Sequence, residues 1–110
     1  MIDGTVMNVS IGYKMRTDIE QLADLEDISM SEVAREAFTK CNALYSDTTN
    51  QKREHKCKLS HSIHFYVDKE MYDHISKRSE IIGVPMSNLI RECLSIYLIL
   101  TLTKRYDIYD

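Results

Sequence analysis

The sequence predicts a mostly α-helical chain with a short antiparallel β ribbon, built from two strand–helix–turn–helix units in one polypeptide. Three observations predict it. An alternating apolar pattern occurs twice, each occurrence gives way to helical periodicity, and two closely matched second helices lie 56 residues apart.

From Asn8 to Met15, residues Val9, Ile11, Tyr13 and Met15 fall on one side, and Asn8, Ser10, Gly12 and Lys14 on the other. A period of two is that of a strand with one buried face. The alternation returns from Ser62 to Val67, with Ile63, Phe65 and Val67 inward and Ser62, His64 and Tyr66 outward, an offset of 52.

Helix-start chemistry follows each strand. Thr17 with Glu20 fits a capping box, and Asp68 is an acceptor placed to cap a helix after the second strand. Ile19, Leu22, Ala23 and Leu25 then share one face in the first copy, and Met71, Ile75 and Ile82 mark a comparable stripe in the second. The change of offset from 52 to 56 predicts a first helix one turn longer in copy two.

Copy two breaks at Gly83-Val84-Pro85, where Gly suits a left-handed helix end and Pro the first turn of the next helix. Copy one breaks without glycine, and Ser29-Met30-Ser31-Glu32 reads as a capping box. The second helices, Ser31 to Phe38 and Ser87 to Leu94, share three identities and four apolar matches. The resulting division is unit 1 over 6–45, a polar linker over 46–60, unit 2 over 61–103 and a tail over 104–110.

At 110 residues the chain is too short for a catalytic domain with a separate ligand domain, and its three Gly, one Pro and 44% hydrophobic residues describe an ordered chain. So short a chain buries a small share of its surface, which favours pairing of units. A net charge of −3 supplies no global field toward nucleic acid or anionic membranes, so any such binding is local. Cys41, Cys57 and Cys93 are odd in number and widely spaced, as expected of a reducing intracellular compartment. The N-terminus lacks signal-peptide character, and the run Ile96 to Leu100 is far below the roughly 18 residues a bilayer requires, so no membrane role is expected.

The six-residue strand, two helices and second-helix start Ser87-Asn88-Leu89-Ile90-Arg91-Glu92, with counterpart Ser31-Glu32-Val33-Ala34-Arg35-Glu36, resemble the ribbon-helix-helix repressors of the Arc, MetJ and CopG type. The resemblance covers nearly the whole chain outside linker and tail. In that family two copies pair their strands into a ribbon that enters the major groove above a four-helix core. Here one chain supplies both copies, as a fused pseudo-dimer similar to tandem regulators of archaeal viruses; the alternative arrangement pairs each copy with its equivalent in another chain, giving a larger assembly. Physical chemistry points the same way, because a lone strand with two helices leaves its backbone unpaired and its apolar face bare.

The resemblance implies a sequence-specific transcriptional regulator, a repressor, whose partner is a double-stranded DNA operator and whose compartment is the cytoplasm (a host's, for a viral protein). The base readers it implies are Ser10, Gly12 and Lys14 from copy one and Ser62, His64 and Tyr66 from copy two. Gly12 departs from the polar residue usual at its place. Phosphate contacts are expected at the amides opening the second helices, around Ser29, Met30 and Ser31 and around Pro85, Met86 and Ser87. Arg35 and Arg91 have either a phosphate or a structural role, each being followed by Glu.

Other signals point elsewhere or nowhere. His55, Cys57, His61 and His64 lack paired Cys-x-x-Cys spacing, so no metal is assigned. There is neither a Gly-rich phosphate loop nor a nucleophile with an orienting base, so no cofactor and no enzymatic activity are expected. Ile96, Tyr97, Leu98, Ile99, Leu100 and Leu102 make the last helix apolar on nearly every side. Such a surface joins two chains, a dimer of pseudo-dimers, or covers the other copy. The alternative function is an antitoxin-like interaction module that uses this apolar helix, with DNA binding secondary.

Overall fold

The computed structural model describes residues 4–44 and 59–102. Strand β1 spans Gly4–Ile11 and is followed by α1 (Tyr13–Glu26), α2 (Met30–Cys41) and a 3-10 turn (Asn42–Leu44). After the linker come β2 (His61–Asp68), α3 (Lys69–Ile82) and α4 (Met86–Thr101). The chain is mostly helical with one two-stranded antiparallel sheet, in which β1 pairs with β2 from Gly4 opposite Asp68 to Ile11 opposite His61.

The period of two places Met7, Val9 and Ile11 of β1 and Ile63, Phe65 and Val67 of β2 on one buried face of the sheet. Beneath them lie Ile19 and Leu22 of α1, Val33, Ala37 and Phe38 of α2, Ile75 of α3, and Leu89, Ile90, Leu94 and Leu98 of α4. Helices α2 and α4 make the most extensive helix contact. Each also packs on a strand from the opposite half, α2 on β2 and α4 on β1, so the halves interlace.

Strand β2 lies where its alternation predicts, but β1 lies four residues earlier than the 8–15 pattern. Gly12 is the extended N-cap of α1 (φ −83°, ψ 167°), and Tyr13, Lys14 and Met15 belong to the helix. Tyr13, expected inward, is exposed, and Met15 is buried as the start of a helical stripe with Ile19 and Leu22. Thr17 therefore sits inside α1 and caps nothing. With β1 corrected, α1 and α3 each have 14 residues, so copy two has no extra turn.

The remaining caps follow local chemistry. The Ser29 hydroxyl accepts from the Glu32 amide at 3.1 Å, and an Asp68 carboxylate oxygen accepts from the Met71 amide at 2.8 Å. The Ser29 box is not reciprocal, because the Glu32 carboxylate turns to Arg35 instead. Gly83 ends α3 in the left-handed region (φ 87°), and the glycine-free break uses Asp27 in the same conformation (φ 59°, ψ 45°). Asp is among the few side chains that tolerate this region. Pro85 is the N-cap of α4, one residue before its first turn.

Leu25, expected inward, is exposed at the end of α1, and Ile81 is exposed at the corresponding place on α3. The apolar stretch of α4 is largely spent within the chain. Tyr97, Leu98 and Leu102 are buried, Ile96 and Ile99 are half-buried against the core, and Leu100 is exposed. Among the described residues no single helix is long and apolar enough to cross a membrane.

Candidate nucleic-acid interface

The sheet has helices on one face only, and its other face presents side chains from alternating positions. Those are Val6, Asn8 and Ser10 on β1 and Ser62, His64 and Tyr66 on β2. The register sets them in three cross-strand pairs, Val6 with Tyr66, Asn8 with His64, and Ser10 with Ser62. Of the six residues expected to read bases, Ser10, Ser62, His64 and Tyr66 stand on this face. Gly12 is buried at the N-cap and Lys14 is exposed on α1, so neither lies on the ribbon. Val6 and Asn8 take the places assigned to them.

Val6 and Asn8 were missed because the alternation of Val9 and Ile11 continues by coincidence through Tyr13 and Met15. Carrying the 56-residue offset of the second helices back to the strands would have found them, since it matches Gly12 with Asp68, both N-caps.

Polar side chains brace the open edges of the ribbon. Alternate carbonyls along a strand point to the same edge. On β2 three of them in succession are taken by residues of the first half. Arg16 donates to the Ser62 carbonyl at 3.1 Å, Ser31 to that of His64 at 3.4 Å, and Arg35 to that of Tyr66 at 2.8 Å. On β1, Arg91 donates to the Ser10 carbonyl at 2.8 Å.

Arg35 and Arg91 act alike. Each guanidinium spends one arm on a strand carbonyl of the opposite half and the other on the residue three positions back, Glu32 for Arg35 and Asn88 for Arg91. The partner of Arg35 is therefore Glu32 rather than the following Glu36, whose carboxylate pairs with Lys40 at 3.0 Å. Desolvation holds the Arg91 guanidinium below its usual range, with Glu92 opposing the shift.

Of the residues expected to contact phosphate, one is bonded to the ribbon edge. Ser31, in the first turn of α2, lies against the outer edge of β2, and Arg91, just beyond the first turn of α4, lies against the outer edge of β1. The N-terminal halves of α2 and α4 thus each approach one edge of the ribbon, α2 through Ser31 and Arg35 and α4 through Arg91. At α2 the Ser29 hydroxyl already serves the Glu32 amide, whereas Pro85 offers α4 no side-chain cap. Amides of a first turn have no partner within the helix and carry partial positive charge.

Several basic side chains are already engaged, Arg16 with Glu20, Lys40 with Glu36 and Lys69 with Asp73. No group of three or more candidate metal ligands occurs among the described residues, and His55 and Cys57 lie outside them. Cys41 and Cys93 are buried free thiols, and burial pushes the Cys93 thiol up to about 12. No family model, curated protein or solved structure matches this chain.

Proposed function

We propose that this protein is a sequence-specific double-stranded DNA-binding transcriptional regulator, a repressor that occludes a promoter by inserting its two-stranded ribbon into the major groove. In this reading the chain is two ribbon-helix-helix units fused as a pseudo-dimer. One observation carries it: a ribbon with one apolar face buried and the other presenting six side chains, with the N-terminal half of a helix at each edge. The major groove admits a two-stranded ribbon and displays a distinct donor and acceptor pattern for each base pair. Helix N-termini at either side suit the phosphates that border such a groove.

The reading surface is Val6, Asn8, Ser10, Ser62, His64 and Tyr66. Asn8 has the amide geometry that pairs with adenine N6 and N7, and His64 has ring nitrogens to offer a purine edge. The antitoxin-like alternative has less to stand on, because most of the apolar surface it would use is buried against the chain's own core.

The test is selection of a bound duplex from a random pool, followed by affinity and protection measurements on it. Asn8→Ala and His64→Ala should each weaken specific binding by about 1–3 kcal/mol. Lys14→Ala, off the ribbon, should leave base preference unchanged. If both ribbon variants keep wild-type preference, the ribbon is not the reading surface.

A further inference from the structure

Resting on that reading, we infer that the operator is oriented by a thymine methyl contact at one end of the ribbon only, made by Val6 beside Tyr66. The two ends of the ribbon are geometrically equivalent but chemically unlike. Asn8 and His64 stand opposite each other and are also 56 residues apart, the spacing that separates the helices of the two halves. The centre of the repeat therefore falls at this pair, Val6 corresponds to Ser62, and Ser10 corresponds to Tyr66. One end presents an aliphatic and an aromatic side chain, and the other presents two hydroxyls.

Val6 is 62% exposed and Tyr66 37% exposed, on a face otherwise made of polar side chains. The ring tip of Tyr66, together with the Val67 carbonyl oxygen, fills the space that a Cβ on Gly4 would need, so the ring lies against the start of β1 beside Val6. His64 leans the other way, its Nε2 3.4 Å from the Ser62 hydroxyl. Apolar surface is thus gathered at one end and hydrogen-bonding groups at the centre and far end.

The C5-methyl of thymine is the apolar group that base edges show in the major groove. Val6 has no donor or acceptor, so any base edge placed against it without a methyl loses water and gains nothing. Ser10 and Ser62 both donate and accept, and so tolerate several bases. From Val6 to Ser10 the strand advances roughly 13 Å, a reach of about four base-pair steps. The methyl-bearing pair therefore lies within a few steps to one side of the central contact, and the duplex is read in one direction.

Uracil differs from thymine by the methyl alone. In a duplex selected by the wild-type protein, each thymine is replaced in turn by deoxyuridine and affinity is measured. Replacement at one position, on one side of the centre, should weaken binding about four-fold, the amount one buried methyl contributes. In Val6→Ser that sensitivity should vanish, and in Ser62→Val, the matching place on the other strand, a second sensitive position should appear on the other side of the centre once a thymine is placed there. Thermal melting of both variants checks that the fold is retained. If no duplex is selected, the proposed function itself fails. If a duplex is selected but uracil is neutral throughout, or the sensitive position is unmoved by Val6→Ser, DNA reading stands and the methyl contact is overturned.

Discussion

Arg91 shows how one side chain joins the two halves, since it links α4 to the Ser10 carbonyl of β1 and to Asn88 on its own helix. Arg91→Ala removes the donor to both acceptors and should cost about 1–3 kcal/mol in urea denaturation. Arg91→Lys should recover only part, because an ammonium does not reproduce the forked geometry of guanidinium. At Cys93 burial decides. Well below pH 9.0 the thiol is mostly protonated in both folded and unfolded chains, whereas from 9.0 to about 12 it is mostly ionised in the unfolded chain alone. The unfolded state then binds fewer protons, so this group's contribution makes stability fall as pH rises through that window. At pH 8 Cys93 should resist a thiol-alkylating reagent in the folded protein and react after denaturation, as peptide mass mapping would show. Arg35 and Arg91 were visible in the sequence as a repeated Arg-Glu, whereas Arg16 was not, and the partners of all three were hidden because a carbonyl on a distant strand leaves no trace in local spacing.

The two helix breaks solve one problem with different residues. Gly83 adopts φ 87° with open space around it, so Gly83→Ala meets no neighbour and its cost is that of the left-handed backbone. That substitution should lower stability by about 1 kcal/mol. Asp27→Gly should raise it by up to about 1 kcal/mol for the converse reason, both being read from the urea midpoint. Elements whose signals are local were legible. β2 is bounded by a cap that its own sequence supplies at Asp68, and Ser29 opens α2 as its hydroxyl predicts. β1 was misplaced because nothing polar marks its end. Gly12 caps α1 through backbone conformation without a side-chain bond, and the helix that follows begins with residues that prolong the strand's alternation. Leu25 and Ile81 are likewise beyond periodicity, which shows where a stripe lies and not where it runs past the core.

At the scale of the molecule, the ribbon closes within a single chain. A sheet formed between chains loses stability on dilution, because unfolding then also separates the partners. Here the thermal midpoint should stay unchanged across a hundredfold dilution, measured by circular dichroism. A midpoint that falls with concentration would show that the folded unit needs a second chain. The interlaced packing of α2 on β2 and α4 on β1 means that neither half has a complete core of its own. Phe65→Ala, at the centre of the shared core, should therefore cost about 3–5 kcal/mol and lower one cooperative transition rather than split it in two.

Closure in one chain has a consequence for inheritance. When a reader is assembled from identical subunits, every mutation strikes it twice, and a change that improves one end also alters the other. In this molecule positions 6 and 62 occupy matching places on opposite strands yet are encoded separately. If the ribbon reads DNA as proposed, each end can be tuned alone, and an operator without two-fold symmetry becomes reachable by single substitutions.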